Sequence, residues 1–216
     1  MIQLPDELNL IVSLALLALI PFIAMMATSF VKLAVVFSLL RNALGVQQIP
    51  PNMALYGLAI ILSIFIMAPV GFETYDYVKQ HDISLEDSAS VEGLIESGLQ
   101  PYREFLKKHI RETEAIFFTD AARTLWPQKY VDRLESDSLL LLLPAFTVSE
   151  LTRAFEIGFL LYLPFIAIDL IVSNILLAMG MMMVSPMTIS LPFKLLLFVF
   201  LDGWTKLTHG LVLSYG

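Results

Sequence analysis

Residues 144–186 read PAFTVSELTRAFEIGFLLYLPFIAIDLIVSNILLAMGMMMVSP, and this stretch decides what kind of protein the chain is. It is apolar over most of its length, yet it carries Glu150, Arg153, Glu156 and Asp169. A charge at the centre of a lipid-facing helix costs ~2.5–3.5 kcal/mol on insertion scales. Four such groups do not belong in a segment whose only task is to span a bilayer. They are expected to face protein or a watery lumen, which points to an assembled conduit. The stretch closes on a crowd of methionines beside Ser185 and Pro186.

Outward from this stretch, composition sets the class. The 216 residues are 57% hydrophobic and 15% charged, with a mean hydropathy of +0.78. Too little polar surface remains to cover a water-soluble core. The expectation is an all-α membrane-type protein. It has about four long hydrophobic, partly broken helices arranged as hairpins, plus a small helical polar region. A net charge of −7 without a broad basic patch argues against nucleic-acid binding. The absence of cysteine excludes disulfides, thiol catalysis and thiolate metal sites.

Three blocks follow from the hydropathy pattern. Residues 1–72 form an N-terminal hydrophobic hairpin. Its first arm, 8–31, is uncharged and long enough for a hydrocarbon core of about 30 Å. The acidic start, with Asp6 and Glu7, is unlike a cleavable signal, so this arm is expected to be retained. The second arm covers about 53–72, after Pro50 and Pro51 forbid continuous helix. Residues 73–137 are an acidic helical region, with 14 Asp and Glu against 8 Lys and Arg. Lys and Arg favour the cytoplasmic side. The loop with Arg41 is therefore assigned there, and 73–137 to the periplasmic side. Residues 138–216 hold the C-terminal hydrophobic helices and the methionine-rich loop.

Inside 73–137, Val91, Leu94, Ile95, Leu99, Tyr102, Phe105, Leu106 and Ile110 recur at helical spacing, broken by Gly98 and Pro101. The simplest reading is a small helical unit packing on itself. Pro21, Pro69, Pro144, Pro164, Pro186 and Pro192 fall in or beside the apolar stretches and predict broken helices. Asp202 and Lys206 are spaced to pair on one helical face.

The chemistry-bearing side chains are few. Glu150, Arg153 and Glu156 are spaced so that Arg153 can reach either acid. Asp169 sits one turn from Ser173. The favoured reading is polar clamps within or between subunits; the rival is a proton relay through intramembrane carboxylates. The three histidines, His81, His109 and His209, have no metal-ligand spacing and are expected to be solvated or capped. No catalytic or phosphate-binding motif occurs. Neither a cofactor nor a metal is expected, and no enzymatic activity. Met179, Met181, Met182, Met183 and Met187 lie within nine residues. They read either as apolar filler at a helix end or as a deformable ring closing a pore around a passing chain.

Three long co-linear segments carry a family resemblance. They are TSFVKLAVVFSLLRNALGVQQIPPN at 28–52, PAFTVSELTRAFEIG at 144–158 and PFIAIDLIVSNILLAMGMMMVSP at 164–186. With them the chain resembles the R-type export-gate subunit of bacterial type III secretion, the family of the flagellar protein FliP and its injectisome counterparts. The short N-terminus resembles the injectisome, or virulence, branch. The resemblance implies a homo-oligomer, a pentamer, built into a helical complex with S- and T-type gate subunits. It also implies the large export-apparatus subunits, a cytoplasmic ATPase and unfolded exported polypeptides as partners, in a Gram-negative inner membrane. The family's sealing loop maps onto Met181, Met182 and Met183, and its polar segment onto Glu150, Arg153, Glu156 and Asp169. Two other classes compete. One is a small-solute or ion transporter or channel coupled through Asp169; the other is a membrane hydrolase using Glu150 and Glu156.

Overall fold

The computed structural model describes residues 14, 15, 18, 22, 25–81, 93–132, 134, 135 and 137–216. Most of the expected first apolar arm lies outside the described residues. What is described is helical, without a strand among the described residues.

Helix α1, Phe30–Leu44, is the hub. Leu33, Val36, Phe37, Leu40 and Leu44 recur at helical spacing and are all buried. The helix stops at Gly45, whose φ of 76° is the left-handed conformation that glycine adopts without strain. Arg41, in the last turn, reaches past the cap to the Pro50 carbonyl and the Asn52 side chain and closes the loop into the next helix. Helix α2, Asn52–His81, then runs for 30 residues, and only Leu55, Ala59 and Ser63 of it are buried. It continues unbroken past residue 72, so the start of the acidic region prolongs an apolar helix.

A π-helical turn, Leu94–Gly98, leads into α3, Gln100–His109, which has Pro101 in its first turn as the spacing predicts. Helices α4, Glu112–Leu125, and α5, Gln128–Val131, complete the polar region. This region does not pack only on itself. Leu106 of α3 is buried against Leu142 and Phe146 of the next helix, with Tyr102, Phe105 and Ile110 around them.

That next helix, α6, spans Leu139–Ala178, 40 residues capped by the Ser138 hydroxyl, and about 60 Å long at 1.5 Å per residue. Gly158 lets it lie against α1, because a Cβ there would sit 2.2 Å from Leu39 Cδ1. Helix α7, Pro186–Phe200, and α8, Gly203–Leu213, follow, bent by 59° at Leu201 and Asp202. Two apolar clusters bind the set. One joins Leu33, Val36 and Phe37 to Leu55, Ala154 and Leu211; the other joins Leu40 and Leu44 to Phe165 and Phe198.

One of the breaks expected at proline is found, at Pro186, which opens α7; those expected at four other prolines are not. Pro69, Pro144, Pro164 and Pro192 all lie inside continuous helices. Proline removes one intrahelical donor, and in apolar helices neighbouring groups make up the loss. The chain breaks at 179–185 and at Asp202. Asp202 takes a positive φ of 50° and, among the described ion pairs, makes none with Lys206. Among the described residues two helices, α2 and α6, are long and apolar enough to cross a membrane; the bent pair α7–α8 makes a third if counted as one span.

Candidate functional site: two charged joints and a methionine loop

The first joint is built on Glu150, which is fully buried on the α1-facing side of α6. One carboxylate oxygen lies 3.3 Å from Lys32 Nζ, and both side chains are sealed from solvent. The same oxygen accepts the Tyr215 hydroxyl, while the other accepts Arg153 Nη1 at 3.2 Å. Lys32 also sits 3.5 Å from the centroid of the Tyr215 ring, a cation–π contact. Arg153 spends a second bond on the backbone carbonyl of His109, at 2.8 Å, so the joint reaches into α3. Two residues on, the Arg111 N–H donates to the buried Ser149 hydroxyl. Two cations and a phenol thus satisfy one acid, as a buried charge requires.

Glu156 does not join them. It projects outward and pairs with Arg111 Nη1 at 2.9 Å, with both side chains partly exposed. Asp169 forms the second joint, about five turns beyond Glu150 along α6. It accepts from Lys194 Nζ at 2.6 Å and from the Ser190 hydroxyl, both on α7. Lys194 is itself buried and donates to the Ala43 carbonyl at the end of α1. The first joint therefore staples α1 and α6 to α3 and to Tyr215 near the C-terminus, and the second staples α1 and α6 to α7.

A hydroxyl set fastens the segment entering α1. Tyr102 donates to the Ala27 carbonyl at 2.6 Å, Thr147 to that of Met26 at 3.1 Å, and Ser29 to Ser63 at 2.9 Å. Burial pushes the Tyr102 phenol well above its ordinary value.

Residues 179–185 form the loop between α6 and α7, turned by Gly180 at φ 73°. Met181 is 43% exposed, Met182 81% and Met183 fully exposed. Three adjacent apolar side chains stand in the open at the tip of a hairpin. Beside them the second half of α6 exposes Leu160, Leu163, Ile166, Leu170, Ile171 and Ile175. Exposed apolar area of this extent marks contact with lipid or with other chains.

Comparison with known proteins decides the family. The FliP family model matches residues 13–211. The chain belongs to the FliP family. It is 74% identical, over all 216 residues of both chains, to the Yop proteins translocation protein R of Yersinia pestis. It is 54% identical to the virulence protein YscR of Salmonella typhimurium over 99% of each chain, and 46% identical to the surface presentation of antigens protein SpaP of the same organism over 97% of each. Members of the FliP family are membrane-embedded components of type III secretion and not enzymes.

Sequence reasoning did not find every member of these joints. Lys32 was legible as a charge in an apolar run, TSFVKLAVVF, and Lys194 as another in LPFKLLLF. Tyr215 carries no such mark. Of the histidines expected to be solvated or capped, His109 is the capped kind, its ring buried and bound to the Phe105 carbonyl, while His81 and His209 are exposed.

Proposed function

We propose that this chain is the core subunit of the type III export gate. Several copies surround a conduit for unfolded polypeptides, and Met181, Met182 and Met183 from each copy close it. The observation that carries this reading is the exposed methionine loop on a hairpin whose charges are already matched within the chain. Apolar and flexible, such side chains exclude water from a constriction and yield to a peptide. The apolar flank of α6 then packs against neighbouring copies or the small hydrophobic S- and T-type subunits. The large export subunits deliver the substrate from the cytoplasm, and the assembly sits in the inner membrane. Asp169 is held by Lys194 and Ser190, which leaves it poorly placed to shuttle ions for a solute transporter.

The deciding experiment is the mass and symmetry of the detergent-extracted complex. A five-fold particle containing small hydrophobic partners supports the gate; a monomer or dimer moving radiolabelled solute in proteoliposomes refutes it. The periplasmic placement of 73–137 has its own test. Thr113→Cys, the single cysteine in the chain, should react with an impermeant maleimide once the outer membrane alone is permeabilised. Labelling only after the inner membrane is broken would reverse the orientation.

A further inference from the structure

His109 ends α3 where four parts of the chain meet, and the joint on Glu150 makes no use of its ring. The side chain is 4% exposed. It lies between two aromatic rings, with centroids 4.6 Å away at Phe105 and 5.0 Å at Tyr215. Nδ1 is 2.8 Å from the Phe105 carbonyl oxygen. That nitrogen therefore carries the proton of the neutral ring, and Nε2 is bare. The residue borders a cleft of about 330 Å³ shared with Lys32, Lys108, Arg153 and Glu156.

The charges around the ring come from every neighbouring element. Lys108 precedes it on α3 and Arg111 follows it. From α6 come Glu150, Arg153 and Glu156; from α1 comes Lys32; and Tyr215 closes the far side. Both acids are already engaged, Glu150 by Lys32 and Arg153, and Glu156 by Arg111. A second proton on His109 would add a cation beside Lys32, Lys108 and Arg153.

We propose that His109 is a pH-sensitive fastener: its neutral ring holds α3 and α4 on α6, and its protonation loosens them and withdraws Tyr215 from Glu150. The mechanical coupling is short. The His109 carbonyl is the one Arg153 grips, and Arg111, two residues on, is the one bound to Ser149. Burial lowers the affinity of the ring for a second proton, helped by repulsion from Lys32 and Lys108, and outweighs the pull of the Phe105 carbonyl and of Glu150. The docked form thus binds the proton less well than the open form. Docking is at full strength above the ordinary histidine value of about 6.5 and weakens as the pH falls through it.

The test is amide hydrogen exchange on the full-length chain in detergent from pH 8 to pH 5, corrected for the intrinsic pH dependence of exchange. Protection at residues 103–125 should fall several-fold on acidification while that of α1 stays constant. His109→Gln keeps a donor for the Phe105 carbonyl but cannot charge, and should flatten the profile. His81→Gln, at an exposed ring, should not. If His109→Gln does not fold, histidine-labelled wild-type protein decides, since each of the three rings gives its own signal. Protection must then track the midpoint of the buried ring. A wild-type profile without a step, a step that survives in His109→Gln, or one that follows another histidine overturns the proposal.

Discussion

The two halves of α6 share one helix, but they have opposite surroundings. Between Leu139 and Gly158 the helix is sheathed by α1, α3 and α4, and its charges find partners inside the chain. Between Phe159 and Ala178 it turns most of its apolar side chains outward and ends in an uncovered methionine loop. The first half is complete as a fold. The second half is completed only by lipid or by other chains. Under the proposed function the best-packed part of the fold lies at one end of the helix and the export role at the other, and substitutions at the two ends should fail in different ways.

The largest effect should come from the first half. Glu150→Ala strands Lys32, whose side chain is 1% exposed, and breaking a buried pair from one side costs ~3–5 kcal/mol. Thermal unfolding in detergent should show a large loss, or no folded protein at all. Pairing Glu150→Leu with Lys32→Met removes both charges and should recover much of it; a double variant no better than the single one would show that the charges do more than neutralise each other.

Arg153→Ala should cost less. Glu150 keeps Lys32 and Tyr215, and Arg153 is one-third exposed, so the loss is that of charge-assisted hydrogen bonds, about 1.5–3 kcal/mol. Because Arg153 is also the link to α3, the monomer should persist while the high-mass complex disappears from native gels. Normal complex yield would remove Arg153 from assembly. Arg111→Ala should be smaller still. The pair it makes with Glu156 is partly exposed on both sides, and such pairs are worth about 0–1 kcal/mol. A loss comparable to that of Glu150→Ala would mean that Glu156 is buried in the assembled state.

The comparison also shows what a single sequence can convey. The identity of α6 as the decisive segment was legible, because charges in an apolar run need a partner. Which partner was not. Lys32 and Glu150 are 118 positions apart, and Asp169 finds Lys194 on a separate helix, not the adjacent Ser173. Spacing reports only neighbours on one helix; it put Glu156 within reach of Arg153 and could not see Arg111 arriving from α4's approach. Pro69, Pro144, Pro164 and Pro192 misled for a related reason. The rule that proline ends a helix assumes that helix must compete with water, whereas these helices sit where unpaired backbone is costlier than a bend. The methionine loop was readable from composition, and its exposure was not.

The central claim is that the uncovered half makes the gate and its methionines make the seal. The most direct measurement is membrane conductance in cells producing the chain without Met181, Met182 and Met183, together with its gate partners. The loop contributes nothing to either charged joint, so the deletion should assemble to the same mass as the intact protein and admit ions and small solutes that the intact gate excludes. A complex of normal mass that stays tight would contradict the account and leave these methionines as apolar filler at the end of a helix.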